Sequence, residues 1–514
     1  MSAGGGARTG REGPERFPAR IIYTAAADLP AVVEQLPSAP GRLFLGLVVE
    51  EQEPPTPWHL QYWWAEPDSS WLVVDVAAQD PSIPSISAVE FAADWPEREA
   101  EDLFGIAFAG HPQLGDFVLH DEDFGESAVP MRQVAGGHGT TAAAGDAYRP
   151  PRIVEAPGGF LMPVGPVFSG IQESVRFLLE TVGEEIMHAQ VRLFYKYRGV
   201  EKLMEGHAPD RALLLAERVN GTQATAHALA FATAVERMAG APAPMRAQML
   251  RTLLAEWERI RSHVGTLAGI VESTGLSVPA NHLIAAEERL LQQSAEHWGH
   301  RYLFGLVAPG GLTGDPGPAA LGAMAAEAER VVSDVLRVCD RLTFDNSFLD
   351  RLEMVGVVPP ARAATLGLVG PVRRASGAEM DFRRSHPYAG YDQVPPAVAV
   401  EVEGDGYARF RVFRRELEAS LHLIQQLVHK IPAGPVTAPC SPGAGWAAAT
   451  VEAPSGALTY WVRLDDHGRI RRCHIMPPSL ANWHGLPDAV RDYAFQDFPI
   501  ILATYGLSVA DADR

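Results

Sequence analysis

The thiols are the first side chains to consider for metal chemistry, and this chain of 514 residues has three: Cys339, Cys440 and Cys473. They lie far apart in the sequence, and no two of them form a Cys-x-x-Cys pair. Zinc and iron–sulfur sites need several thiolates at close spacing, so the sequence predicts neither kind of site. A disulfide framework is also disfavoured, and so few scattered cysteines are typical of a cytoplasmic protein.

Two glycine-rich stretches match the Gly-x-Gly-x-x-Ala spacing of dinucleotide-binding loops, one beginning at Gly137 and the other at Gly443. Such a loop needs a strand before it and a helix after it. The first stretch lies among small residues with no strand before it, and the second follows a proline-rich loop. No Gly-Lys dipeptide occurs, which excludes a P-loop. Any link to NAD would therefore come from partner subunits.

The overall charge narrows the classes of partner. The chain has a formal net charge of −20 and an isoelectric point near 5.3. Nucleic-acid binding needs a basic face, and so does attraction to an anionic lipid surface. The negative charge therefore argues against both kinds of partner. No run of about 18 apolar residues occurs, so no transmembrane helix is predicted. If the protein works at a membrane, other subunits must anchor it.

Four regions with different compositions follow one another along the chain. Residues 1–16 are glycine-rich and charged, and are predicted to be a disordered tail. Residues 17–132 carry short apolar or alternating runs that predict strands, with a short helix over Ala25–Gln35. Most residues between Gln133 and Gly145 have small side chains, which predicts a flexible linker over residues 133–150. Residues 151–514 show the apolar spacing of long helices, which predicts a helical bundle with small sheets. The predicted fold class is therefore α+β.

The predicted strands are Ala19–Tyr23, Leu43–Val49, His59–Trp64, Trp71–Val76, Phe177–Glu180, Val191–Tyr195, Leu458–Val462 and Arg469–Met476. The predicted long helices are Ala212–Met238, Pro244–Val271, Ala280–Leu306, Ala319–Met354 and Tyr407–Lys430.

A dense motif runs from Asp94 to Phe108 and continues into His111-Pro112 and the acidic stretch Asp121–Phe124. The spacing alone predicts an amphipathic helical turn that ends at a glycine and is followed by a strand. As a string it resembles the signature of the 30-kDa-type subunit of respiratory complex I, Trp-x-Glu-Arg-Glu-x-x-Asp-x-Phe-Gly-Ile-x-Phe-x-Gly-His-Pro. The resemblance implies an interaction module that binds no cofactor. The family's later basic motif is poorly matched by Ala128–Arg132, so docking at that edge would differ.

The second domain resembles the family shared by complex I 49-kDa-type subunits and group 4 nickel–iron hydrogenase large subunits, from about Gly165 to Arg514. The fused order of the two domains resembles formate hydrogenlyase large subunits and some complex I fusions. The resemblance implies a partner small subunit that carries a [4Fe-4S] cluster, and membrane subunits of antiporter-like and quinone-site type. The matching segments include Tyr195–Leu203, Ala226–Ala230, Gly299–Arg301, Pro309–Gly311, Arg374–Gly377, Gly404–Phe410, Pro477–Trp483 and Asp497–Pro499.

Hydrogenases of this family hold their metal with two pairs of cysteines, and this chain has other residues at all four positions. They are Asn220, Gln223, Ser508 and Asp511. Nickel and low-spin iron prefer soft thiolates, whereas amides, hydroxyls and a single carboxylate are poor substitutes. The resemblance therefore implies that no nickel–iron centre is present and that this chain binds no cofactor of its own.

The complex I branch binds a quinone head group instead, and a bound quinone remains possible here. The positions that would contact the head group fall on Gln172 and Gly221. Gln172 could donate a hydrogen bond, but Gly221 offers no side chain. His227 lies nearby on a predicted helix, where a lone histidine is more often a packed, hydrogen-bonded residue than a ligand.

The remaining candidate catalytic residues are charged, and they too come from the resemblance. In the hydrogenase branch a glutamate at the position of Glu173 is implicated in proton transfer, and carboxylates are suited to that role. Arg176 and Arg374 would stabilise a reduced, anionic acceptor electrostatically. Asp497 would join Glu173 and Asp511 in a proton path, and Arg218 would line the same cavity.

Two functions from different classes follow. The first is the large subunit of a membrane-associated oxidoreductase on the cytoplasmic, inner face of the cell membrane. It would pass electrons from the iron–sulfur subunit to a quinone or another small acceptor, with NAD(P)H or ferredoxin as donor to the whole complex. The second is a scaffold subunit that has lost catalysis. An active nickel–iron hydrogenase is disfavoured because the four thiolates are absent.

Overall fold

The computed structural model describes residues 8–10, 19–37, 41–52, 57–120, 129–132, 154, 157–168 and 173–514. The predicted linker 133–150, the acidic stretch Asp121–Phe124 and Gln172 lie outside these residues. So does the predicted tail 1–16, apart from a short edge strand at Arg8–Gly10. The α+β class is confirmed, because a sheet-rich first part precedes a second part built mainly of helices. No helix in these ranges is both long and apolar enough to cross a membrane.

Fifteen strands are described. They are β1 Arg8–Gly10, β2 Ala19–Ala25, β3 Leu43–Glu51, β4 Trp58–Ala65, β5 Trp71–Ala78, β6 Ser82–Pro84, β7 Ala107–Ala109, β8 Gly159–Val164, β9 Arg176–Val182, β10 Glu185–Arg192, β11 Val307–Ala308, β12 Gly311–Leu312, β13 Gly445–Ala453, β14 Gly456–Leu464 and β15 Ile470–Met476.

The α-helices of the described residues range from one turn to eight turns. They are α1 Leu29–Glu34, α2 Asp94–Phe104, α3 Val200–Met204, α4 Pro209–Ala216, α5 Ala224–Ala239, α6 Met245–Ser273, α7 Ser277–Trp298, α8 Gly317–Leu342, α9 Asn346–Leu349, α10 Pro360–Thr365, α11 Gly370–Arg374, α12 Phe382–Ser385, α13 Gly406–Lys430, α14 Pro478–Val490, α15 Phe498–Tyr505 and α16 Val509–Ala512.

The first domain is organised by one sheet of order β1-β2-β5-β4-β3, in which only β2 and β5 run parallel. Its strands are apolar on both faces because both faces are covered. One face packs against α1 and α2. The other packs on the antiparallel sheet β13-β14-β15 of the second domain, where Trp63 and Val73 meet Trp461 and Met476. The two domains therefore share buried apolar surface.

The second domain is built around α6, which packs against α5, α7, α13 and α15. The sheets β8-β9-β10 and β13-β14-β15 flank this bundle. The long helix α13 begins where the Asp405 carboxylate accepts a hydrogen bond from Ala408 N at 2.7 Å, as an N-cap does. Helix α7 ends at Trp298 and is capped by Gly299, whose φ of 78° lies in the left-handed region.

Two predicted helices are interrupted in the structure. The one predicted over Ala319–Met354 ends at Leu342, and the short α9 follows it. The other interruption lies at the candidate site. The sequence predicts a single helix over Ala212–Met238, but α4 ends at Ala216 and α5 begins at Ala224. Between them Asn220 adopts extended backbone angles and starts a 3-10 turn at Gly221–Gln223. The apolar spacing persists across this break, so periodicity alone does not reveal it. The break places Asn220 and Gln223 on a turn.

Candidate functional site

Two segments that are far apart in the sequence meet in the second domain: the turn between α4 and α5, and the short helix α16. Arg198 bridges them, because its guanidinium donates to backbone carbonyls of both. On one side it donates to Val219 O at 2.8 Å and Arg218 O at 2.9 Å. On the other it donates to Asp513 O at 3.2 Å and to the carbonyl of Ala510. The segments that carry the four ligand-equivalent positions thus lie side by side.

Asn220 and Gln223 use their side-chain amides to fix the turn. The Asn220 Oδ1 accepts hydrogen bonds from N and Oγ1 of Thr222, at 3.0 and 2.8 Å. The Gln223 Nε2 donates to Ser455 Oγ at 2.8 Å, in the loop between β13 and β14. Both residues are buried. They hold the turn in place by hydrogen bonds within the chain.

Asp511 is fully buried and belongs to a chain of three side chains. Its Oδ1 lies 3.0 Å from His227 Nε2, and its Oδ2 accepts from Ser479 N at 3.3 Å. The His227 Nδ1 lies 2.8 Å from the Tyr460 hydroxyl. Burial raises the pKa of Tyr460 well above its ordinary value, so the phenol keeps its proton and donates it to Nδ1. His227 then donates from Nε2 to Asp511, which makes it a packed, hydrogen-bonded histidine.

Glu173 lies against Ser508, the neighbouring ligand-equivalent position. Its carboxylate accepts from Ser508 Oγ at 3.1 Å, from Ala510 N at 2.9 Å and from Val509 N. Ser508 Oγ also accepts from Asp511 N at 3.2 Å, so the serine caps α16. Glu173 itself is exposed rather than partly buried. It therefore connects solvent to the start of α16.

These donors do not fit a nickel–iron centre. The four side chains are two neutral amides, one hydroxyl and one carboxylate, and none offers the soft sulfur that such a centre needs. Each one already makes a hydrogen bond within the chain. Cys473 is buried in the core and Cys440 lies in a separate loop, so neither replaces a missing thiolate. No chemical step is therefore assigned to such a centre.

Two buried polar atoms beside these positions have no hydrogen-bond partner among the residues the structure describes. They are Nδ2 of Asn220 and Oγ of Ser479. Leaving a buried polar group unpaired costs about 1–3 kcal/mol. Such groups commonly mark a bound water or ligand. An amide NH2 and a hydroxyl can both donate to a carbonyl oxygen.

Arg374 differs from its predicted role, because it lies fully buried inside an ion network. Its guanidinium contacts Glu416 at 2.8 Å, Glu452 at 2.7 Å and Asp381 at 3.7 Å. Burial opposes ionisation of Glu416, but Arg374 and His263 outweigh it and hold the pKa of that carboxyl below its ordinary value. The network joins α6, α11, α13 and β13, so Arg374 is placed to hold helices together.

The other predicted residues are distributed around the site. Arg218 is exposed, with its guanidinium 5.1 Å from the ring centre of Phe304. Arg176 begins β9 and is half-buried. Asp497 lies in the turn before α15 and makes no hydrogen bond to Glu173 or Asp511, all three being described residues. A Cβ added at Gly221 would meet only Phe304, at 3.9 Å.

Five residues of the site were not predicted as site residues: Arg198, Ser455, Tyr460, Ser479 and Asp513. Arg198 belongs to a motif that the sequence does reveal, but its four carbonyl partners cannot be read from the motif. Ser455 and Tyr460 lie beside and within strand β14, where nothing in the local pattern separates them from core residues. Their partners, Gln223 and His227, lie more than two hundred residues away in the sequence.

Comparison with family profiles matches three parts of the chain. The profile "Respiratory-chain NADH dehydrogenase, 30 Kd subunit" matches residues 22–140. "Nickel-dependent hydrogenase" matches residues 198–266, which contain the turn with Asn220 and Gln223. "Respiratory-chain NADH dehydrogenase, 49 Kd subunit" matches residues 274–442 and 436–514.

Several curated proteins are similar over most of their length. "Formate hydrogenlyase subunit 5" of Escherichia coli is 29% identical over 456 residues, covering 86% of this chain and 79% of that protein. A fused NADH-quinone oxidoreductase subunit of Bdellovibrio bacteriovorus is 25% identical over 460 residues, covering 82% of this chain and 81% of that protein. A shorter NADH-quinone oxidoreductase subunit of Solibacter usitatus is 27% identical, covering 68% of this chain and 96% of its own. The chain is thus a fusion of a complex I 30-kDa-type domain with a domain of the family shared by complex I 49-kDa subunits and nickel-dependent hydrogenases.

Proposed function

We propose that this chain is the large subunit of a membrane-associated, multi-subunit oxidoreductase of the complex I and formate hydrogenlyase type. The observation that carries the proposal is the fused pair of domains, which aligns with relatives named for those two complexes over more than four fifths of the chain. It would lie on the inner face of the cell membrane. There it would contact a small subunit with a [4Fe-4S] cluster and membrane subunits of antiporter-like and quinone-site type.

Within that complex, the chain would pass electrons to a quinone or another small carbonyl acceptor without a nickel–iron centre. Asn220 Nδ2 and Ser479 Oγ are free within the described residues to donate to an acceptor oxygen. Donors of this kind stabilise the negative charge that develops on a carbonyl oxygen during reduction. This assignment replaces the one made for Arg374, whose charge is already balanced by carboxylates.

Reduction of a quinone also consumes protons, and the site has acidic groups placed to deliver them. Glu173 connects solvent to Ser508, and Ser508 contacts the residue that pairs with His227. Asp513 lies next to this segment, where burial raises the pKa of its carboxyl to about 6 despite hydrogen bonds from Lys196 N and Phe194 N. A carboxyl with a pKa near neutrality exchanges protons readily at cellular pH.

A scaffold subunit without catalysis is the second candidate, and a specific observation favours it. Four well-formed cavities among the described residues are lined by other side chains and not by Asn220, Gln223, Ser508 or Asp511. An acceptor would then bind at the surface of this turn or in a space completed by partner subunits. The scaffold would keep the hydrogen bonds that replace the thiolates while supplying no chemistry.

Measurements on the purified native complex distinguish the two proposed functions. The measurements are nickel and iron content per chain, and the rate of reduction of a water-soluble quinone analogue. The variants are Glu173→Gln and Gly221→Trp, with Glu184→Gln as control, because Glu184 is equally exposed but lies in the β9–β10 turn.

Electron transfer at this site predicts that both variants lower the turnover at least several-fold while the control does not. Full activity in both variants, with an assembled complex, would instead support the scaffold. Stoichiometric nickel that copurifies with the chain would refute the assignment of a site without a nickel–iron centre.

A further inference from the structure

Arg514, at the end of the sequence, is buried at the junction of the two domains. Its Nη2 contacts Glu99 Oε1 at 2.5 Å, and its Nε contacts Glu201 Oε1 at 2.9 Å. Glu99 belongs to α2 of the first domain, whereas Glu201 belongs to α3 of the second. One guanidinium is therefore held by a carboxylate from each domain.

Glu99 supplies one of the two carboxylates that contact Arg514 in the described structure. Glu201 is shared, because Arg472 lies 3.2 Å and His474 also 3.2 Å from its carboxylate. Two arginines thus face two glutamates, and every one of the four is nearly inaccessible to solvent. Burial disfavours the charge on Arg514, but Glu99 and Glu201 outweigh it and raise its pKa. Without Glu99, Arg514 and Arg472 would both depend on Glu201 for direct contact with a carboxylate in the described structure.

Arg514 is joined by a short path to the site. Asp513 precedes it, and its carboxylate accepts from Phe194 N at 2.8 Å and Lys196 N at 3.1 Å. The Arg514 Nη1 donates to Ala512 O at 3.3 Å, within α16. Helix α16 carries Asp511 and begins just after its capping residue Ser508. A displacement of Arg514 would therefore shift the helix that presents both residues.

We propose that Glu99 is a positioning residue through which the first domain sets the geometry of the second domain's site, by holding Arg514 and with it helix α16. The complex I 30-kDa-type domain is then more than a docking module for other subunits. It supplies a charge without which the Ser508–Asp511 segment is incompletely held. This inference concerns the geometry of the site, so it goes beyond the proposed function and does not depend on which reaction the site serves.

A second ionic contact at the junction does not replace this pair. His484 of α14 lies 3.2 Å from Asp94 of α2, but neither residue contacts Arg514 in the described structure. Glu99, His474 and Arg514 also line a cavity of about 40 Å³ between the domains, which has room for only a few water molecules. Water in that cavity could solvate a displaced Arg514, but it carries no charge to balance it.

The test is hydrogen–deuterium exchange of the full-length protein, read on the backbone amides of residues 508–514. Glu99→Gln keeps the side-chain shape and removes the charge. Glu101→Gln is the matched control, because Glu101 lies on the same helix and its carboxylate accepts only from Gly115 N in the described structure. We expect exchange in this segment to rise at least ten-fold in Glu99→Gln and to stay within two-fold of wild type in the control.

A double variant separates positioning from a general loss of stability. In Glu99→Gln with Arg514→Gln the charges balance again, so exchange should be slower than in either single variant. If Glu99 acts independently of Arg514, the two effects would multiply instead. The proposal would be overturned if residues 508–514 exchanged at the wild-type rate in Glu99→Gln. It would also be overturned if the fold increases of the two single variants multiplied in the double variant. If Glu99→Gln does not fold, Glu99→Asp and Arg514→Lys, which keep both charges, should each raise exchange by a smaller factor confined to the same segment.

Discussion

Replacing Arg374 with methionine tests whether that residue serves the structure or the chemistry. The change removes a guanidinium that contacts Glu416, Glu452 and Asp381, all of them buried. Methionine fills much of the same volume but leaves these carboxylates with fewer partners. Removing one member of a buried ion pair typically costs about 3–5 kcal/mol, a large part of the stability of a folded domain.

The matched control is Arg384→Met. Arg384 contacts Glu379 at 3.0 Å, but the two side chains are 58% and 65% exposed. Exposed pairs of this kind contribute about 0–1 kcal/mol. Both variants lose one arginine from the same stretch of chain, so the difference between them isolates the effect of burial. A further variant, Arg374→Met with Glu416→Gln, should recover part of the loss because it removes one uncompensated carboxylate.

The assay is urea unfolding of the full-length chain, followed in parallel by tryptophan fluorescence and far-ultraviolet circular dichroism. Coincidence of the two transitions is needed before a free energy is derived, since a chain with two domains need not unfold in one step. The structural role of Arg374 would be refuted if Arg374→Met unfolded within about 1 kcal/mol of Arg384→Met, the upper limit for an exposed pair. If Arg374→Met were as stable as the control but no longer reduced quinone, Arg374 would have a role in the reaction.

Three further predictions concern the site itself. Asp511→Ala should destabilise the chain by about 2–4 kcal/mol and Asp511→Asn by less, because alanine leaves the buried His227 and Ser479 N unpaired; equal thermal midpoints for the two variants would contradict this. Asp513→Asn should flatten the dependence of stability on pH. The folded carboxyl has a pKa of about 6 against an ordinary value of 3.8, so it binds its proton more tightly when folded. Its contribution is therefore present at low pH and lost as the pH rises from about 4 to about 6, a difference of up to about 3 kcal/mol. Urea midpoints of wild type and variant that stay parallel across that range would contradict it. Gly221→Ala should be neutral or stabilise by up to about 1 kcal/mol, because its Cβ meets only Phe304 at 3.9 Å; a lower thermal midpoint would show that the turn needs glycine.

The sequence predicts the elements of this fold better than their contacts. The apolar runs at Leu43–Val49 and Trp71–Val76 fall within strands, and the spacing over Pro244–Val271 matches α6. These patterns are local, because strand and helix periodicities act over neighbouring residues. Where a capping side chain interrupts a periodic run, as Asn220 does, the local pattern predicts a longer helix than the one that forms.

The sequence predicts where the candidate site lies, but it does not predict the contacts and the burial that set the chemical roles of its side chains. The resemblance identifies Asn220, Gln223, Ser508 and Asp511 as equivalent positions, and the structure brings their two segments together. What each of these side chains can do chemically depends on how deeply it is buried. Burial in turn depends on contacts between elements that are distant in the sequence. Arg374 and Glu173 show this dependence, since the first is enclosed by carboxylates and the second is open to solvent.

Arg198 has a consequence for how the protein matures. Its guanidinium joins the carbonyls before the α5 turn to those near Arg514, so this junction closes with atoms of the polypeptide alone. Under the proposed function, in which no nickel–iron centre forms here, closure needs only the folding of the chain. A host cell that lacks dedicated insertion factors should produce this region in its finished conformation.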